Sequence, residues 1–505
     1  MKKEQKQSLI LIALLLVLTA CKEQTVSITI PIEDEVGAKN MPQAIVPVTG
    51  APFETAEFKR PEFPDYTVNI TEHGGKESEP ITRIINNLIV EVSKKKGGTV
   101  IIPAGKWKSG RIILRSNVNL HFAAGAEVEF SDKVEDYLPA VFTRQEGIEI
   151  MGPGACIHAN NEHNIAITGK GMLLGPPLDS PMRDFAIGDT AIENVIDYEL
   201  AVSERVYDGI SRRVYVPKMI APVNCQNVFI EGITLERSFF WNINPIYCEN
   251  VIIRGVTVNS TEIPSGDGID IESCNDVLIE YCTMNNNDDC YTLKSGRGKD
   301  GIRVGKPTEN VVIRHSLAIL GHGGITCGSE TAGNIRNVYA HDCVFKNVGS
   351  GIRFKTRRPR GGGTESILYE RIRMINVNNA FRWDLLGSRR WVGELADRYP
   401  LREINELTPI YKNIHVRDFI VESSEIFLQA NCIPEAPLYN VLIENGEVNT
   451  TRLIPALNDV DGFILRNLTL NSANGELNIL DGRNVQFDNV KFHAIEKRSD
   501  NEEKP

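Results

Sequence analysis

Three things are scarce in this 505-residue chain, and each scarcity narrows what the protein can do. The first is positive charge. The chain carries 55 Lys and Arg against 66 Asp and Glu, a formal net charge of −11. A nucleic-acid partner needs a positive field along its phosphates, so that class is excluded. The second is paired cysteine. Ten cysteines are scattered with no C-x-x-C spacing among them, which argues against a zinc ribbon or a dithiol redox motif. The third is long apolar sequence. The conspicuous run, Leu9 to Leu18, is too short to span a bilayer as a helix.

That short run has a different use. Lys2, Lys3 and Lys6 precede it and small residues follow, which is the layout of a secretory signal over residues 1–20. Leu18-Thr19-Ala20-Cys21 resembles the bacterial lipobox, which implies cleavage before Cys21 and a lipid on its sulfur. The expectation is an exported lipoprotein of the periplasm or outer membrane, touching the membrane only through Cys21. Cleavage removes three lysines and one glutamate, leaving a formal charge of −13. Export permits disulfides, but the nine remaining cysteines cannot all pair, and buried free thiols are at least as well expected. Residues 21–63, rich in Pro, Thr and Glu, read as a lipoprotein tether or linker, or a small added strand. The main domain spans 64–495, and the charged 496–505 segment reads as a disordered tail.

Within the main domain one phrase recurs: an Asn or other small polar residue, a β-rich run, then a second short β run. It begins at Asn227, Asn250, Asp276, Asn310, Asn337, Ser366, Asn413, Asn440, Gly462 and Asn484, with earlier copies at Asn117 and Asn164. The spacing has a floor of 22 residues with occasional excess, as a coil with loop insertions would show. No unit has a helical pattern, so none can bury its own apolar face. Stacking them in parallel buries a continuous core. The fold expected is all-β: a right-handed single-stranded parallel β-helix solenoid. An amphipathic helix over about residues 81–96, ended by Gly97-Gly98, is expected to cap its N-terminal end. Insertions at 177–218 and 384–407 break the period and are expected as loops beside the solenoid.

Four consecutive coils carry unusual polar residues at a similar place. They are Asp267 in PSGDGIDIES, Asp288 and Asp289 in NNNDDCYTLKSG, His322 in GHGGITCGSE, and Arg353 and Lys355 in GIRFKTRRPRGGG. Neighbouring coils lie about 4.8 Å apart, so these side chains can meet in one groove. Crowded carboxylates cannot all ionise, and one held protonated beside an ionised partner is what glycoside hydrolysis needs. Arg353, Lys355, Arg357, Arg358 and Arg360 form a cationic strip in an acidic chain, suited to an anionic sugar. Each residue alone has a bland reading as turn former, amide cap, structural histidine or solvated loop. Four on successive coils at one lateral position favour a shared site. Asp288 followed by Asp289 raises a packing question, because successive strand residues face opposite ways and an unpaired inward carboxylate is costly. A kinked coil edge that turns both acids into the groove, facing Asp267, resolves it.

In these segments the sequence resembles glycoside hydrolase family 28, the polygalacturonase family. The family's Asn-Thr-Asp, Gly-Asp-Asp, Gly-His-Gly and Arg-Ile-Lys match SGD at 265–267, NDD at 287–289, GHG at 321–323 and RFK at 353–355. The resemblance implies a pectic substrate, single-displacement hydrolysis with inversion, and neither cofactor nor metal. It implies Asp288 as general acid, Asp267 and Asp289 holding and activating water, His322 assisting, and Arg353 and Lys355 gripping a uronate carboxylate. Ser265-Gly266 and Asn287 depart from the family pattern, which bears on sugar contacts. GSETAG and the loop SGRGKDGIRVGKPTEN resemble exo-acting bacterial members, so exo action is expected, with the protein monomeric. A rhamnogalacturonan or other pectic galacturonosidase, a calcium-dependent pectate lyase, and a non-catalytic polysaccharide-binding β-helix remain as alternatives. A lyase has no need of a general acid at Asp288, and a mere binder has no reason to gather three acids.

Overall fold

The computed structural model describes residues 28–185 and 192–495. The signal segment, Cys21 and the 496–505 tail lie outside the described residues.

The chain is a parallel β-helix, and its repeat phrase is the reason. In each copy the residue after the polar one points inward and meets its counterpart on the next coil. Ile165, Val228, Val251, Val277, Val311, Val338, Ile367, Ile414 and Val441 stand opposite one another in unbroken parallel register. All nine are buried. Each such side chain contributes roughly 1.5–3 kcal/mol by leaving water.

The recurring asparagine is the corner. Asn117, Asn164, Asn227, Asn250, Asp276, Asn310, Asn337, Ser366, Asn413 and Asn440 all have φ between 52° and 64°. This left-handed conformation is costly for most side chains and best tolerated by Asn and Asp. The side chains also pair along the stack. Asn250 Nδ2 donates to Asn227 Oδ1 at 2.7 Å, Asn337 to Asn310 at 3.0 Å and Asn440 to Asn413 at 3.1 Å.

A helix over Thr82–Lys94 buries Ile85, Leu88, Ile89 and Val92 against the first strands. Residues 28–66 do not form a free tether. They lie along the outside of the solenoid, where Phe58, with Ile45, Val48, Phe53 and Phe63, covers a row formed by Ala166, Phe229, Ile252, Leu278, Val312, Tyr339 and Leu368. Those are the outward residues of the repeat strands, so the strap explains why NVFIEG and NVIIRG read as nearly continuous apolar runs rather than strict alternations. Buried arginines hold it down. Arg254 donates to the carbonyls of Pro42 (2.7 Å) and Ala44 (3.2 Å), and Arg373 to that of Pro31 (2.7 Å). The nine cysteines among the described residues are all buried and unpaired.

Candidate active site

The four coils bring the expected residues to one groove, but Arg353 stands opposite Thr326 rather than His322. Parallel register places Asp270, Thr292, Thr326, Arg353 and Arg382 opposite one another along one face. Asp267 and Asp289 precede the first two of these strands, and Gly268 N donates to Asp289 O at 2.9 Å across the coils. A side-chain clamp kinks the chain at the acid pair. Asn286 Nδ2 donates to the carbonyls of Asp288 (2.9 Å) and Asp289 (3.1 Å), and Asp289 N donates to Asp288 Oδ1 (2.9 Å). Inward packing resumes with Cys290, Tyr291 and Leu293. Asp288 thus lines the groove while Asp289, expected there too, lies buried directly behind it on its cations, and oxygens of Asp267, Asp288 and Asp289 lie within 4.8 Å of one another.

Each acid has a distinct environment. Asp289 is fully buried and held by cations: Lys355 Nζ lies 2.5 Å from Oδ2, while Arg353 (3.2 Å) and the Thr326 hydroxyl (2.9 Å) donate to Oδ1. Burial alone would raise its pKa, but Lys355 and Arg353 outweigh it and hold the carboxyl well below the usual range. Asp288 is the acid that faces the open groove, and the His322 ring sits beside it, Nδ1 to Oδ1 3.2 Å. There too burial pushes upward, and the hydrogen bond to His322 brings the net shift below the ordinary value. The same bond raises His322. Asp267 is buried, with Asp270 and Asp288 as like-charged neighbours, and burial with that repulsion pushes it well above the carboxylate range. The raised carboxyl is therefore Asp267 rather than Asp288.

Several groups beneath and beside the acids escaped the sequence reading. Lys294 Nζ lies 3.6 Å from Asp267, 3.5 Å from Asp270 and 3.2 Å from Glu330, against the Trp241 ring at 4.4 Å. Asp270 is fully buried, neither of its oxygens has a hydrogen-bond partner, and burial raises it to about 7. The alternation in GIDIES and CYTLKS is the signal that was there to be used: Asp270, Glu272 and Lys294 alternate with core residues. The cationic strip is divided. Arg353 and Lys355 sit at the acids, but Arg358 pairs with Glu435, and Arg360 with Glu330 and Glu193.

The acids open onto a cavity of about 390 Å³ that also takes in Ser265, Phe240, Trp241, Arg297, Arg357 and Trp391. One side is closed by an antiparallel hairpin, Val141–Gln145 with Ile148–Gly152, whose turn presents Glu146. Gly147 in that turn has φ +87°, and a Cβ there would lie 2.8 Å from Glu330 Cγ and 3.0 Å from Arg297 N, so only glycine lets the hairpin close down. Arg297 joins the wall together, donating to Glu146 (2.8 Å), Glu330 (2.6 Å) and Glu193.

Comparison with known proteins fits this arrangement. Residues 210–383 match the model of glycosyl hydrolases family 28, a span that holds all three acids, His322, Arg353 and Lys355. That segment is of the glycoside hydrolase family 28 type. It is 26% identical over 378 residues to a probable polygalacturonase of Vitis vinifera, covering 73% of this chain and 71% of that one. It is 24% identical over 340 residues to an exo-poly-alpha-D-galacturonosidase of Dickeya chrysanthemi, 61% of this chain and 55% of the other. Among solved structures, an exopolygalacturonase from Thermotoga maritima superposes with a TM-score of 0.71 at 29% identity, covering 86% of this chain and 94% of that one. The comparisons support a glycoside hydrolase, and Asp267, Asp288 and Asp289 are gathered at one groove within the matched segment.

Proposed function

We propose that the protein hydrolyses α-1,4-galacturonosidic bonds in pectic poly- or oligosaccharides by single displacement, acting from a chain end. The observation that carries this is the pairing of a groove-facing acid, Asp288, with a neighbour, Asp289, kept ionised by Lys355 and Arg353. Asp288 would protonate the leaving oxygen, with His322 at 3.2 Å as its proton reserve. Asp289, with Asp267, would hold water and take its proton. Arg353 and Lys355 would also face a uronate carboxylate at the reacting sugar, which suits an acidic substrate. The hairpin wall at Glu146 and the likeness to the Thermotoga exopolygalacturonase support exo action.

One observation favours a variant of this reading: burial and the neighbouring charges of Asp270 and Asp288 raise Asp267, which favours that residue as the acid. The likeness to family 28 supports Asp288 and inversion. We also infer, on sequence alone, export and lipid anchoring at Cys21, and we read the helix Thr82–Lys94 as the cap of the solenoid.

Incubation with defined oligogalacturonates, followed by identification of early products, tests the function. Free galacturonate as the sole early product is expected. A broad ladder of oligomers would overturn exo action, unsaturated products would point to a lyase, and release of neutral sugar alone would overturn the substrate assignment.

A further inference from the structure

The wall opposite the acids contains three arginines, and their ionic partners are unequally shared. Arg297 donates to three carboxylates, Glu146, Glu193 and Glu330. Arg360 serves Glu330 at 3.1 Å and Glu193 at 3.4 Å and does not line the cavity. Arg357 does line it, yet among the described residues its sole ion-pair contact is with Glu193 at 4.0 Å, an oxygen already shared with Arg360. Its Nε is buried and has no hydrogen-bond partner.

What holds Arg357 is an aromatic plane. Its guanidinium lies 5.3 Å from the Trp391 ring centroid, within cation–π range. Trp391 comes from the 384–407 insertion, which is fixed to the solenoid by Arg358 donating to the carbonyls of Leu395 and Asp397, both at 2.8 Å, and by Arg398 on Asp459. The result is a flat guanidinium stacked on Trp391 at the lining of a polar cavity, with its Nε lacking a hydrogen-bond partner among the described residues. Carboxylate is the ligand such a fork takes through two parallel bonds. Arg353 and Lys355 do not offer this freely, because both already serve Asp289.

We propose that Arg357, backed by Trp391, is a second carboxylate-binding position of the groove, reading the acid group of a sugar next to the one being cleaved. This rests on the pectic hydrolase reading above and sharpens it: the preferred substrate carries uronates on adjacent sugars, as opposed to uronate alternating with neutral sugar. Such a residue determines specificity and takes no part in the proton transfers.

The test compares kcat/KM on trigalacturonate with that on the same trimer methyl-esterified only at the sugar next to the one being cleaved, in the wild type and in Arg357→Gln and Arg357→Lys. The wild type is expected to favour the free acid by about 10- to 100-fold, the worth of one charge-assisted pair. Arg357→Gln should lose that preference through KM on the free acid, and Arg357→Lys should recover only part of it, because the ammonium keeps charge without the fork. A preference for the acid that is undiminished in Arg357→Gln overturns the assignment while leaving the hydrolase reading intact. Failure of the wild type to cleave any galacturonate oligomer overturns both.

Discussion

Lys294 lies beneath Asp267 with its Nζ 3.6 Å from that carboxylate, and it touches Asp270 and Glu330 at 3.5 and 3.2 Å. It is the cation that opposes the effect of burial on Asp267. As a water-activating base Asp267 must be ionised, so activity falls as pH drops through its raised pKa. Removing Lys294 raises that pKa further. Lys294→Met should therefore move the acidic limb of the kcat/KM profile to higher pH, at a stability cost of about 3–5 kcal/mol from the buried carboxylates it leaves behind. A shift of the alkaline limb instead would make Asp267 the general acid.

Asp288 and Asp289 differ in role, and leaving-group chemistry separates them. Asp288→Asn should lower kcat on oligogalacturonate by about 10²–10⁴-fold. On an aryl galacturonide whose phenolate departs without protonation, most of that loss should vanish. Asp289→Asn should be impaired on both substrates. Equal impairment of Asp288→Asn on both would remove it from the acid role.

The asparagine corner sets a stability prediction away from the site. Asn337 has φ +54° and donates to Asn310 at 3.0 Å. Asn337→Ala loses both the tolerance of that conformation and the amide bond, about 2–3 kcal/mol together. Asn337→Gly keeps the conformation and should cost less. Urea unfolding of the two variants checks the order.

The strap predicts a folding defect. Deleting residues 28–63 uncovers Phe229, Ile252, Leu278, Val312 and Leu368 on one outer face. An exposed apolar patch of that kind drives association. The shortened chain should bind a hydrophobic dye and aggregate, whereas a monodisperse protein with an unchanged unfolding midpoint would show the strap to be dispensable.

The solenoid and the acid cluster were legible in sequence for one physical reason: stacking repeats a residue's environment at each coil, so pattern and position coincide. Asp267, Asp289, His322 and Arg353 could be brought to one groove by counting from the corner residues, although the register sets Arg353 opposite Thr326. The strap was not legible, because its partners are outward residues hundreds of positions away and it pairs through no strand. The wall was hidden for a related cause. Glu146, Glu193, Arg297 and Trp391 come from four separate segments, and no periodicity links them. Lys294 and Asp270 lay within reach, since charged residues alternating with core residues had to face something. Which cation of 353–360 meets the groove depended on carboxylates such as Glu435, which sequence spacing does not locate.

The most direct measurement is the anomeric form of the first sugar released, followed by proton NMR as the wild type cleaves an α-linked oligogalacturonate. Single displacement at Asp288 and Asp289 predicts β-galacturonate first, mutarotating to the mixture afterwards. The α anomer appearing first would contradict it.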